Sequence, residues 1–221
     1  TITAKLEPHL ELVEPPALAL TRFRSKARLT YADVPRILKD GAHQLHKTMV
    51  LAMRLADGLL EQRRAAGAMV VYDLNQGWIS TEEGHLKKVE RREDTQGQVL
   101  VQEFMILANR LMAEFCRERC IPVLYRNHAA PLGNTDRRAI VEAIQVAVRE
   151  PTTALEEIRR LTACSLERGV YATALDGHFG LNLSAYMHAT SPLRRLADLV
   201  SQRNLVAHLR GEPYPHAVEE L

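Results

Sequence analysis

The stretch AYMHATSPLRRLADL, Ala185 to Leu199, sets two adjacent arginines where local electrostatics should resist them. Thr190 and Ser191 are natural N-cap residues and Pro192 is favoured at the first helical position. A helix is therefore predicted from Pro192 to about Arg210, with Arg194 and Arg195 in its first turn. The positive end of a helix dipole repels cations. Asp198 follows Arg194 by four residues and Arg195 by three, so it can neutralise either one. One carboxylate cannot use two five-donor forks together with the N–H groups of a helix start, so an external anion, phosphate above all, fits what remains.

The composition frames that local reading. A chain of 221 residues with 46% hydrophobic content can bury a proper core. Its net charge of +2 excludes a tail-driven or histone-like nucleic-acid binder, so any phosphate recognition has to come from local clusters. Cys116, Cys120 and Cys164 are odd in number and lack CxxC spacing, which fits a reduced compartment better than a disulfide framework or a zinc site. Cys116 and Cys120 stand one helical turn apart and read as packing residues. No apolar run has the length of a membrane span and no signal peptide opens the chain, so a cytoplasmic protein with no membrane partner is expected. TITAKLEPHLELVE starts without Met and AVEEL stops as a helix begins; the chain is expected to be a piece of a longer polypeptide.

Along the chain, two extended stretches, 1–13 and 17–22, precede a short helix in SKARLTYADVPRILKDG that should stop at Gly41. A long helix is predicted over 42–66, from Leu45, Met49, Met53, Ala56, Leu59 and Leu60 at helical spacing. MVVYDLNQGWIS reads as a hairpin turning near 75–77, and HLKKVERRE as an edge or solvated strand. Over 98–119 apolar residues form two stripes, through Phe104, Leu107, Leu111 and Phe115 and through Met105, Met112 and Cys116, so that helix is expected to be buried. A strand over 122–125 and helical stretches in 136–150 and 151–167 come before the helix that starts at Pro192. The fold class is α+β, mostly helical with a few short strands, in one unit.

Glu103 and Asn109 fall on the helix expected to be buried. A buried carboxylate needs a partner. That partner is either a nearby arginine or a ligand hydroxyl such as a ribose 2′-OH, and the residues alone leave both open. His128 and His188 are single loop histidines outside any metal-ligand spacing, which favours hydrogen bonding to backbone or phosphate. Tyr31, Tyr125 and Tyr186 can stack on bases or close the core. The aspartates are scattered, with no DxD cluster of the kind magnesium-dependent phosphodiester cleavage uses.

YMHATSPLRRLADLVSQR resembles the signature near the end of the catalytic domain of the ribonuclease II and ribonuclease R exoribonucleases, the RNB domain. HFGLNL, VQEFMILAN, the YRNH loop and SKARLTYADV resemble blocks of that family in the same order, from about Ser25 to Arg203. The resemblance implies 3′→5′ hydrolysis of single-stranded RNA to nucleoside 5′-monophosphates. It also implies Mg²⁺ on an aspartate cluster that the family carries upstream of the matched segment, and an RNA-binding barrel downstream. Residues 1–221 then read as the C-terminal half of an RNB-type catalytic domain, monomeric, and inactive by itself.

By the same resemblance Arg194 matches an arginine that contacts phosphate near the scissile bond, and is the catalytic candidate. Tyr31 matches a tyrosine near the 3′-terminal nucleotides, and Tyr72 falls at or next to an aromatic that stacks on the terminal base. Where the family carries Glu-Glu this chain has Gln102-Glu103, with the ribose-contacting glutamate falling on Gln102. His128, Thr190, Ser191 and Arg195 complete the RNA-binding candidates. Ala189, Leu196 and Gln202 depart from the family pattern, while TSP-x-RR is intact. The alternative is an RNA-binding or regulatory relative that has lost cleavage; a metabolic enzyme holding a small phosphorylated substrate explains TSPLRR but not the ordered blocks.

Overall fold

In the computed structural model, which describes residues 1–68, 78–80, 86–88, 92–129 and 168–221, helices dominate and every strand is two or three residues long. The α+β, mostly helical class is the one observed. The chain divides into two compact units where one was expected. The first is Thr1–Arg24 with the described parts of Met105–Ala130 and Glu167–Leu221, and the second the described part of Ser25–Phe104.

In the first unit, Ile2–Thr3 (β1) pairs antiparallel with Ala17–Leu18 (β2), which accounts for the two extended stretches. Its core joins Ala113, Phe115 and Cys116 of helix α3 (Gln96–Glu118) to Ile121, Val123, Tyr125, Ala185, Met187, Ala189 and Leu205. Burial pushes the Cys116 thiol up to about 12, so it packs as an inert apolar group. Cys120 is not a packing residue as expected. It is exposed, in the left-handed conformation (φ 52°), and lets Ile121 N–H reach back to the Cys116 carbonyl (3.0 Å), closing α3 with a Schellman-type turn. The strand predicted over 122–125 lies later, at Tyr125–Asn127 (β5), paired antiparallel with Val170–Ala172 (β6). The last helix, α4 (Leu196–Arg210), ends at Gly211 (φ 68°), the left-handed residue glycine suits.

The second unit opens with α1 (Asp33–Lys39), whose Asp33 carboxylate accepts from the N–H (2.6 Å) and hydroxyl (2.8 Å) of Thr30, holding its pKa below the usual carboxylate value. Helix α2 (His46–Ala65) starts four residues later than its apolar period predicted, because 40–46 are drawn into two turns, His43 N–H to Asp40 carbonyl and His46 N–H to His43 carbonyl. Its expected inward stripe is buried at Met53, Ala56, Leu59 and Leu60. Trp78–Ser80 (β3) pairs antiparallel with Leu86–Lys88 (β4), so HLKKVERRE does contribute a strand. The turn expected at 75–77 and the helical stretches in 136–150 and 151–167 lie outside the described residues, as does Cys164. Helix α3 is less enclosed than its composition implied: Val101 and Phe104 open to solvent while the polar Glu103 is buried.

That burial is possible because of Arg63 at the end of α2. Its Nε and Nη2 meet Glu103 Oε2 and Oε1 at 3.0 and 2.5 Å, with side chains 11% and 1% exposed. A desolvated ion pair contributes little net stability, yet losing one partner strands the other charge in a dry site. Glu103→Ala should therefore cost about 3–5 kcal/mol in urea unfolding, and Glu103→Leu combined with Arg63→Met far less. Equal losses in the two variants would refute this account of the pair.

Candidate functional site

In TSPLRR the backbone departs from the predicted helix. Ser191 carbonyl accepts from Arg194 N–H (3.2 Å) and Arg195 N–H (3.1 Å), making a turn over 192–194, and α4 begins only at Leu196. Arg195 is the N-cap residue, in extended conformation (φ −128°, ψ 119°). Asp198 explains this geometry. Its fully buried carboxylate accepts from Ser191 N–H (2.7 Å) and takes the Arg195 fork on both oxygens, Nε at 2.7 Å and Nη2 at 2.8 Å. Neither arginine occupies the first helical turn, and of the two only Arg195 engages the Asp198 carboxylate. Arg194 is exposed, and its guanidinium has no hydrogen-bond or ion-pair partner among the described residues.

Buried amides pin the segment leading into this turn. Asn109 donates to Tyr186 Oη (3.2 Å) and accepts from Ala189 N–H (3.1 Å), while Gln202 Nε2 donates to the Ala189 carbonyl. Asn109, weighed as a hydroxyl acceptor for a ligand, is thus occupied within the protein. Thr190 is exposed beside the pinned peptide.

β5 lies between two partners. β6 is on one side, with Arg126 opposite Tyr171, and on the other side Arg126 N–H donates to the Tyr186 carbonyl (2.9 Å). This places Arg126 over the Tyr171 ring (4.8 Å) and Tyr171 Oη 2.7 Å from His188 Nδ1. Ring contacts continue from His188 to Tyr186 (5.6 Å), to His178 (5.2 Å) and to His128 (5.0 Å). Burial first, then the His128 and Arg126 charges, depresses the His178 pKa to about 3. Burial, then Arg195, Arg126 and Arg194 against the opposing pull of Asp198, lowers that of His188 to about 4. Both imidazoles are neutral at physiological pH. His128 Nδ1 accepts from Gly180 N–H (2.9 Å), and a Cβ at Gly180 would stand 2.9 Å from that nitrogen, so only glycine allows the approach.

The second unit holds Tyr31, Gln102 and Glu103. Both Glu103 oxygens are engaged, by Arg63 and by Gln102 Nε2 (3.0 Å to Oε1). The arginine partner, one of two readings the residues left open, is the one present. Tyr31 is half exposed, and its backbone lies against α3 where a Cβ on Gly97 would come within 2.6 Å of the Tyr31 carbonyl oxygen. Gly97 inside a helix is costly by propensity and is explained by this close approach. Tyr125 and Tyr186, the other two stacking candidates, are core residues. Tyr72 lies outside the described residues. Sequence reading missed Gly97 and the Arg126–Tyr171–His188 arrangement, neither of which has a local signal. Among the described residues no group of three or more His, Cys, Asp or Glu could hold a metal ion, and no helix is long and apolar enough to cross a membrane.

The model of the RNB domain family matches residues 1–211. Ribonuclease R of Thermotoga maritima is 30% identical over 90% of this chain and 32% of its own length. The chain spans about a third of the length of the curated relatives it matches. Among solved structures, apo RNase R of Mycoplasma genitalium superposes with TM-score 0.72 over 93% of this chain and 36% of that one, at 19% identity. Its complex with ribose-methylated single-stranded RNA gives 0.61 over 81% of this chain and 32% of that one, at 21% identity. Yeast Ssd1, a pseudonuclease, gives 0.68 over 99% of this chain and 30% of that one, at 17% identity. With a family model covering nearly the whole chain and a curated relative named ribonuclease R at 30% identity, the protein belongs to the RNB domain family.

Proposed function

We propose that the protein is a 3′→5′ exoribonuclease acting as a cytoplasmic monomer on single-stranded RNA and releasing nucleoside 5′-monophosphates, with this chain supplying phosphate-contacting and RNA-positioning groups. One observation carries the proposal: in an intact TSPLRR motif, Asp198 locks Arg195 and leaves the Arg194 fork exposed, with no partner among the described residues. The Mycoplasma RNase R solved with single-stranded RNA supports the substrate class.

Hydrolysis of a phosphodiester builds charge on the non-bridging oxygens. A guanidinium meets two of them at once with parallel N–H donors, and donors that meet the charge as it develops stabilise the transition state more than the ground state. Arg194 takes that role here. Arg195, spent on Asp198, positions the turn, while the Thr190 hydroxyl and Ser191 add donors beside it. Gln102 bonds the ribose 2′-OH as a neutral amide, and the half-exposed Tyr31 ring offers a stacking face. His128, tied to Gly180, shapes the adjoining loop. The described residues do not fit a magnesium site. The Mg²⁺ is assigned to carboxylates elsewhere in the polypeptide, and the 221-residue chain alone is expected to be inactive.

A second reading, an RNA-binding relative that does not cleave, is favoured by Gln102 standing where the resembled pattern has glutamate and by the exposed Leu196 where it has tyrosine.

In the full-length protein, Arg194→Lys should lower kcat by about a hundredfold or more while RNA affinity changes only about threefold, since a point charge cannot replace the fork. Equal loss of both, or of neither, would reject the role, and tight binding without turnover in the parent would select the second reading. Gln102→Ala should narrow the preference for RNA over DNA by roughly threefold to tenfold, the worth of one hydrogen bond. Unaltered discrimination would remove Gln102 from the ribose contact.

A further inference from the structure

Tyr171 and His188, seventeen residues apart, share a hydrogen bond of 2.7 Å. Strand pairing across β5 brings them together: β6 sets Tyr171 opposite Arg126, and the segment bonded to the other side of β5 delivers His188. The Arg126 guanidinium covers the Tyr171 ring and its Nη1 is anchored on the Gly169 carbonyl (2.5 Å), so the phenol is fixed before it meets the imidazole. Nδ1 of His188 is taken. Its Nε2 has no hydrogen-bond partner among the described residues, and the ring is only half-buried.

We propose that His188 is a further RNA contact, its Nε2–H donating to a phosphodiester oxygen beside the one held by Arg194, and that Tyr171 is a positioning residue that fixes the required tautomer by donating its O–H to Nδ1. This rests on the reading of the protein as RNA-directed. Three cations lie near enough to act on the imidazole, Arg126 from β5 and Arg194 and Arg195 from the turn, against one acid, Asp198 of α4. Tyr171 on β6 and Tyr186 on its own segment are the neutral neighbours. Burial first, and then these cations, keep the imidazole uncharged, while the cations also gather the polyanion, so His188 supplies direction and Arg194 supplies charge.

The two roles separate in salt dependence. With the full-length protein in EDTA at pH 7.5 and a single-stranded RNA oligonucleotide, His188→Ala should weaken binding roughly threefold to tenfold. It should leave the slope of log K against log salt unaltered. Arg194→Ala should flatten that slope by about 0.7. His188→Gln, whose amide N–H can stand near Nε2, should regain most of the lost affinity. Tyr171→Phe keeps the ring under Arg126 and should lower affinity while shifting the His188 ¹⁵N resonances from a single Nε2–H form to a mixture of tautomers. Melting curves check that each variant folds, and if the alanine variant does not, the glutamine and phenylalanine variants carry the test. Wild-type affinity in His188→Ala, no recovery in His188→Gln, or a tautomer indifferent to Tyr171 would overturn the proposal. A wild-type protein that binds no RNA would instead defeat the reading beneath it.

Discussion

A buried carboxylate must be answered, and the way Asp198 is answered determines the TSPLRR segment. Its two oxygens collect three N–H donors, two from Arg195 and one from Ser191. That set of bonds fixes the turn over 192–194, delays the start of α4 to Leu196 and uses the charge of one arginine. The other is left outside with its donors intact. What looked in sequence like two equivalent cations is therefore one structural group and one group available to a ligand.

The same economy recurs wherever strands are too short to satisfy the backbone. Asn127 donates to the Ala174 carbonyl (2.8 Å) and accepts from Asp176 N–H (3.1 Å). Asn204 joins the Pro122 and His216 carbonyls (2.7 and 2.8 Å) and accepts from His216 N–H (3.1 Å). Asn109 and Gln202 treat Ala189 alike. Each amide satisfies backbone groups that lie outside the strands, which is the requirement a buried backbone imposes. In the second unit Arg63 and Glu103 play the part that Arg195 and Asp198 play in the first, with the carboxylate at the bottom of the pair in each case.

Periodicity was enough to find α2 and α3, because each has apolar residues at helical spacing over several turns, while α4 was announced by Thr190, Ser191 and Pro192. Their starts were less legible. For α2 and α4 the first four expected residues are taken by turns closed by three-residue bonds, His46 N–H to the His43 carbonyl and Arg194 N–H to the Ser191 carbonyl. That Glu103 needs a partner could be read from its neighbours; that the partner is Arg63, forty residues earlier, could not. The need for glycine at position 97 comes from the Tyr31 backbone packed against it, a contact with no mark in the neighbouring residues. The Tyr171–His188 bond had no local signature at all, since it depends on β5 pairing on both sides.

The central claim is a division of labour, with phosphate positioning in this chain and metal-dependent cleavage elsewhere in the polypeptide. The most direct test is a gel assay of 5′-labelled single-stranded RNA with Mg²⁺, comparing the 221-residue chain with the full-length protein. Stepwise shortening by the full-length protein alone is the result this account predicts. Shortening by the 221-residue chain itself would contradict it.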